Sequence, residues 1–383
     1  MDKVLELLKD LIAVDSVNPS LVPGAAGEAA VARTIAEAMR GMGFKVETQE
    51  AAPGRPNVVG TVEGRAPGRS LMFCGHIDTV GVAGMTAPFD PVERNGRMHG
   101  RGAQDMKSGV AAMIDAARVV AEGDGLAAGK LIIACVVDEE HASVGADALV
   151  TRWRADGAVV TEPTDLQVAI AHKGFEWVEV ETEGRAAHGS RPREGRDAIR
   201  LMARVLTGLD LLDRRLQSRD PHPLLGTASL HASLIEGGRE LSSYPDRCHL
   251  QMERRTIPGE APGIAAREVE ELLGRLRVED PDFKASSRPM FARSPYELAP
   301  NHELPMAMLQ AIGAVSDHGS SSRGAAIGMS FWTDAAILGD AGIPSILFGP
   351  TGAGLHSVDE WVDTQSVVTC RDALVDLARS WCR

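Results

Sequence analysis

The chain has 383 residues, 44% hydrophobic and 24% charged, with 40 basic against 53 acidic side chains and a formal net charge of −13. That balance repels phosphate backbones and anionic bilayers, so neither nucleic acid nor a membrane surface is an expected partner. The length exceeds what a single hydrophobic core usually fills, so one large or two modest domains are expected.

The opening segment, MDKVLELLKDLIAVDS, spaces its apolar residues for a helix over 3–14 and lacks the apolar block of a signal peptide. A second helix is predicted over 27–42, ending at Gly43. Strands follow at Lys45–Gln49, Asn57–Val62 and Leu71–Gly75, then a helix from about Lys107 with Val110, Met113, Ile114 and Ala117 on one face. Lys130–Val137 is a solid apolar run, as in a strand buried on both faces. Alternating helices and strands predict an α/β layer with a mostly parallel sheet. The rhythm changes near residue 174. Phe175–Glu183 alternates like a half-buried strand, Gly195–Leu212 is an amphipathic helix, and Thr227–Ile235 and Arg247–Arg255 are strands. Ile264–Leu276 is helical and Phe283–Arg288 is a last short strand. This β-α-β-β-α-β order is that of the ferredoxin-like unit, here inserted into the larger domain. The α/β pattern then resumes with a helix at 305–315, a strand at 343–348 and a helix at 365–382.

No run approaches the roughly 18 apolar residues of a membrane span. Cys74, Cys135, Cys248, Cys370 and Cys382 are odd in number and lack CxxC spacing. Two of them sit in apolar strands as small hydrophobes. A reducing, cytoplasmic location is expected.

Charged and polar residues recur where predicted strands end. Leu71–Thr79 delivers His76 and Asp78 past an apolar strand, the edge where open α/β sheets bind ligands. Their spacing lets Asp78 orient a metal-bound His76, although a histidine satisfied within the core fits the same pattern. Gly100–Gly109 places Asp105 ahead of a helix, either as a ligand or as a helix cap. Its spacing matches neither phosphate-loop pattern. Asp138-Glu139-Glu140 ends the most apolar strand, as a solvated helix entry or as a metal and proton site. Glu162 follows another apolar strand, and His356 emerges from a glycine-rich loop. Core packing alone does not gather such residues at one edge, because buried charges are costly unless paired or metal-bound. Imidazole and carboxylate donors without thiolate suit zinc, with cobalt or manganese as alternatives, and open sites of this kind activate water.

GHIDTV, GRGAQDMKSG, DEE, TEP and LHSVDE, in that order along nearly the whole chain, resemble the motifs of the acetylornithine deacetylase / succinyl-diaminopimelate desuccinylase family. These are dinuclear zinc hydrolases related to aminoacylase, carboxypeptidase G and dipeptidases. The resemblance implies a catalytic domain over 1–173 and 287–383, interrupted by a lid and dimerisation domain over 174–286. It implies two Zn2+ per subunit: His76 and Glu162 on one, Glu140 and His356 on the other, Asp105 bridging. Asp78 would orient His76, and Glu139 would be the general base. In the lid, GRAAHGSRP resembles the segment whose histidine, here His188, reaches across a homodimer to steady the oxyanion. ERRTIPG resembles the strand whose arginine, here Arg255, holds a substrate carboxylate; a plain surface salt bridge is the other reading of Arg255. Where many relatives carry an asparagine, this chain has Ser242, which changes the expected substrate pocket.

The reading is hydrolysis of a small N-acyl amino acid. Dipeptidase or carboxypeptidase action, or N-carbamoyl hydrolysis or deamination, are alternatives on the same site. A metal-binding protein without catalysis is the alternative outside enzymes, and Glu139 beside Glu140 argues against it.

Overall fold

The structure, a computed structural model, describes residues 2–315 and 325–383. The chain divides into two compact units. The first comprises Met1–Ile170, Leu298–Gly328 and Thr333–Arg383; the second comprises Ala171–Glu297 and Met329–Trp332.

The first unit opens with α1 (Lys3–Ile12), whose first turn is capped by the Asp2 carboxylate and whose apolar face is buried. Then come α2 (Ala29–Gly41), β1 (Lys45–Ala52), β2 (Arg55–Glu63), β3 (Ser70–His76) and the short pair β4 (Val92–Arg94) and β5 (Arg97–His99). An irregular turn, Ala103–Lys107, leads into α3 (Ser108–Glu122). β6 (Lys130–Val136), α4 (Val144–Arg152) and β7 (Ala158–Val160) follow, and β8 (Ala169–His172) runs to the unit's edge. β6, β3 and β7 lie side by side and are parallel. β1, β2 and the β2–β6 ladder are antiparallel. The sheet is therefore mixed, with parallel pairing at its centre rather than throughout. The centre is where both faces are covered, and β3 and β6 are apolar and buried along almost their whole length.

The second unit contains β9 (Gly174–Glu183), α5 (Ala198–Gln217), β10 (Ser229–Gly237), β11 (Arg247–Thr256), α6 (Ile264–Glu279), β12 (Lys284–Arg293) and β13 (Tyr296–Glu297). Its four-stranded sheet has the order β10-β11-β9-β12, all antiparallel, which is the ferredoxin-like arrangement of a βαββαβ unit. The alternate residues Val178, Val180, Leu250 and Met252 meet Leu201, Val205, Val269 and Leu273 of the helices in one core. Several boundaries differ from the sequence reading, two of them with a clear local cause. α5 starts at Ala198 because the Asp197 side chain accepts from Arg200 N and caps it there. β12 does not stop at Arg288: it runs through a register shift between Pro289 and Phe291 to Arg293, as an edge strand can. The inserted unit thus extends past 286, to Glu297.

Back in the first unit, α7 (Glu303–Val315), β14 (Ile327–Met329), α8 (Ala335–Asp340), β15 (Ser345–Leu347), β16 (Gly352–Ala353), β17 (Trp361–Asp363) and α9 (Thr364–Trp381) complete the chain. β15 pairs parallel with β7, so β6, β3, β7 and β15 all point their carboxyl ends to one edge. β16, β17, β5 and β4 form a separate small sheet. Among the described residues no helix is long and apolar enough to cross a membrane.

Candidate metal centre

The shared edge of the parallel strands gathers seven of the predicted residues. His76 is the last residue of β3 and Asp78 lies two residues past it, Glu139 and Glu140 follow β6, and Glu162 stands two residues past β7. His356 comes from the loop between β16 and β17, and Asp105 from the turn before α3. Close backbone approach makes this convergence tight: a Cβ on Gly349 would lie 2.3 Å from the Glu162 carbonyl oxygen.

Asp105 lies between the two imidazoles. Its Oδ1 is 3.1 Å from His76 Nε2 and its Oδ2 is 3.3 Å from His356 Nε2. His76 Nε2 is also 3.8 Å from Glu162 Oε1, while His356 Nε2 is 3.0 Å from Glu140 Oε2. Donor atoms of His76, Glu139 and Glu162 fall within 4.8 Å of one another, as do those of His76, Asp105 and Glu140. These distances resolve two alternatives left open by the sequence. Asp105 caps no helix, since α3 has no side-chain cap and the carboxylate is turned to the imidazoles. His76 is buried, yet its ring faces carboxylates rather than apolar core.

The electrostatics show strong frustration. Burial pushes Glu139 and Glu162 well above the usual carboxylate range against the pull of His76, and neighbouring acids add to it. Burial and the charge of Asp105 push Glu140 up to about 7. Hydrogen bonds with Asp105 and Glu140 raise His356 to about 10. Asp105, although buried, is held well below its ordinary value by His356 and His76. No Lys or Arg pairs with Asp105, Glu139, Glu140 or Glu162 among the described residues, and Glu140 Oε1 is buried without a partner. A partly buried set of four carboxylates and two imidazoles, one carboxylate oxygen of which is buried without a partner, fits divalent cations.

Asp78 stands behind the cluster. His76 Nδ1 lies 3.0 Å from the Asp78 main-chain oxygen and 3.6 Å from its carboxylate, so the hydrogen bond that orients the ring is to the carbonyl, and the carboxylate acts by charge. The same carboxylate also fixes both glutamates, because Oδ1 accepts from Glu139 N at 3.1 Å and Oδ2 from Glu140 N at 3.2 Å. Sequence reasoning missed the support further back. Asn18 Nδ2 donates to Asp78 Oδ2 at 2.8 Å and to Asp138 Oδ1 at 3.1 Å. Arg55 pairs with Asp138 at 2.6 Å and with the buried Glu28. Asn18 and Arg55 carry no local signal, since each partner lies tens of residues away.

His188, Ser242 and Arg255 belong to the second unit, so the seven-residue cluster forms without them. Two of the three are neighbours there. Gly189 N donates to Ser242 O at 2.7 Å and His188 bridges to Ser243, with His188 Nδ1 2.8 Å from Ser190 Oγ and the ring exposed. Arg255 is half-buried on β11; its Nε meets Glu253 at 2.6 Å and its guanidinium lies 5.5 Å from the Phe175 ring centre. The adjacent Arg254 faces the other side and is committed to Glu260 and Glu268.

Known proteins resemble the chain over nearly its whole length. The chain is 29% identical over 410 residues to the N-formyl-4-amino-5-aminomethyl-2-methylpyrimidine deformylase of Bacillus subtilis (strain 168), covering 100% of this chain and 95% of that one. It is 28% identical over 400 residues to the acetylornithine deacetylase of Proteus mirabilis (strain HI4320), covering 99% and 96%. Its fold matches a tripeptidase from Staphylococcus aureus subsp. aureus Mu50 with a TM-score of 0.81 at 19% identity, over 100% and 98% of the two chains. It also matches the YXEP protein of Bacillus subtilis, a dinuclear metal binding peptidase, with a TM-score of 0.74 at 14% identity, over 99% and 97%. Residues 72–380 match the model of peptidase family M20/M25/M40. The chain belongs to that family of metal-dependent hydrolases of amide bonds.

Proposed function

We propose that the protein hydrolyses the amide bond of a small N-acyl amine or N-acyl amino acid, using two divalent ions, zinc by preference. The observation that carries this reading is Asp105 set between His76 and His356, with Glu162 beside one imidazole and Glu140 beside the other. His76 and Glu162 would hold one ion, Glu140 and His356 the other, and Asp105 would reach both. Bound there, the ions supply Lewis acidity toward the amide carbonyl and toward water.

The chain's own residues do the proton work. Glu139 is fixed through its main-chain N–H on Asp78, and its carboxylate lies within the His76–Glu162 group. It takes a proton from water and returns it to the departing amine. Its raised affinity for protons, caused by burial and neighbouring acids, suits both halves of that transfer. Exposed His188 is the proposed donor to the oxyanion. Arg255, whose terminal nitrogens are not used by Glu253, is the proposed anchor for a substrate carboxylate, since a guanidinium fork matches one bidentately. Ser242 beside His188 is the proposed source of altered acyl preference. Two full-length relatives named for removing formyl and acetyl groups support a small acyl group.

A homodimer through the second unit is part of the proposal. Leu234 and Ile235 lie 65% and 57% exposed on the edge strand β10, as suits pairing with another copy. The five cysteines are all free and buried, which supports a reducing compartment. The test is a hydrolysis screen of N-formyl, N-acetyl, N-succinyl, N-carbamoyl and dipeptide substrates with zinc-loaded protein. Turnover of a short N-acyl compound supports the reading. Turnover of dipeptides alone replaces it with the peptidase alternative.

A further inference from the structure

The proposed ligands Asp105 and His356 come from two irregular loops, and at His356 the backbone is left-handed. Asp105 and Met106 depart from helical geometry inside the turn Ala103–Lys107. His356 sits at φ +59°, a region that disfavours a residue with a Cβ. Its loop is closed so tightly that a Cβ on Gly354 would lie 2.0 Å from the Asp359 carbonyl oxygen. The left-handed conformation at His356 is one that surrounding structure must hold in place.

Arg101 and Glu360 meet between them, both almost completely buried, with Arg101 Nη1 2.6 Å from Glu360 Oε2. Each partner reaches over to the other's loop. Glu360, four residues past His356, accepts from Gly102 N at 3.0 Å, from Gln104 N at 2.8 Å and from Asp105 N itself at 3.1 Å. Arg101, four residues before Asp105, donates through Nη2 to the carbonyl oxygen of Ser357, next to His356, and to that of Gly81, both at 3.0 Å. The small sheet brings the same two loops together, because Trp361 pairs with His99.

A buried ion pair is weak evidence of a stabilising role, since desolvation offsets much of its attraction. The distribution of its hydrogen bonds is more informative. All three main-chain donors to Glu360 lie in the Asp105 turn, and one arm of Arg101 holds the His356 loop. We propose that Arg101 and Glu360 are positioning residues, a crossed clasp that presets Asp105 against His356 for the ion shared by Asp105, Glu140 and His356. This rests on the two-ion reading above. His76 and Glu162 need the clasp less, since they stand at or just beyond the ends of the buried central strands β3 and β7. Loosening the clasp therefore weakens one ion more than the other. Residues that orient metal ligands typically change affinity by about 10- to 100-fold.

The test is Co2+ titration of metal-free protein, followed by calorimetry and visible absorption, for wild type, Glu360→Gln and Arg101→Lys. Gln replaces an acceptor oxygen with an NH2 group, and Lys cannot span both carbonyls. Exposed Glu303→Gln serves as control. The expected result is two ions in wild type and in the control. In Glu360→Gln one ion loses about 10- to 100-fold in affinity, while the other loses clearly less. Arg101→Lys changes in the same direction, and decides the matter alone if Glu360→Gln does not fold. Wild-type affinity for both ions in the variants overturns the clasp, as does equal loss of both together with a lowered melting temperature. A wild type that binds no ion overturns the two-ion reading itself, and the clasp with it.

Discussion

Glu140 places Oε2 3.0 Å from His356 Nε2 and leaves Oε1 buried without a partner. Half of this carboxylate is satisfied by protein, and burial together with the nearby charge of Asp105 raises its proton affinity. A cation relieves both problems at once. Zinc added to metal-free protein is therefore expected to raise the melting temperature, by the equivalent of about 2.7 kcal/mol at a hundredfold excess over Kd. Calorimetric melting with and without zinc checks this; an unchanged melt contradicts it.

Glu139 is assigned to proton transfer and not to ion binding. Glu139→Gln should lower kcat by about 10²- to 10⁴-fold, the usual contribution of a general acid–base group, with bound zinc unchanged. Steady-state kinetics alongside metal analysis separates the two roles. Full turnover with metal bound removes Glu139 from the mechanism.

Asn18 donates to two buried acids, Asp78 and Asp138, and its removal leaves both short of a donor. Asn18→Ala should destabilise metal-free protein by about 1.5–3 kcal/mol, the range for hydrogen bonds to charged groups. Urea unfolding gives the value. A change under a few tenths would mean that water replaces the amide.

His172 gives a pH dependence away from the cluster. It is fully buried, and burial lowers its pKa from 6.5 to about 4. Above pH 6.5 the ring is neutral in both folded and unfolded chains, and the stability is fully present. As the pH falls from 6.5 to about 4 the unfolded chain takes up a proton that the folded chain refuses, so about 3 kcal/mol is lost. His172 Nε2 has no hydrogen-bond partner, so His172→Phe should keep the fold and flatten this part of the stability–pH curve. Equal slopes for wild type and variant contradict the assignment.

The centre of the fold was legible because β3 and β6 are apolar along almost their whole length, as a strand covered on both faces is. His76 and Glu162 were legible for the same reason, as polar residues that interrupt an apolar strand at its exit. Asp105 and His356 needed the order of motifs, since nothing local separates a ligand from a cap or a loop histidine. The sequence concealed what depends on distant pairing. Asn18 meets Asp78 across 60 residues and Arg101 meets Glu360 across 259, and neither contact leaves a periodic trace. β12 runs past the predicted end at Arg288, through Pro289, because a proline is tolerated at the register shift of an edge strand.

The central claim is that His76, Asp105, Glu140, Glu162 and His356 hold two ions. Anomalous diffraction at the zinc absorption edge, from crystals of zinc-loaded protein, tests it most directly. Two peaks about 3.5–4 Å apart are expected, as in other two-metal sites, one against His76 and Glu162, the other against Glu140 and His356, with Asp105 touching both. No peak at this cluster, or a single peak bound by other residues, would contradict it.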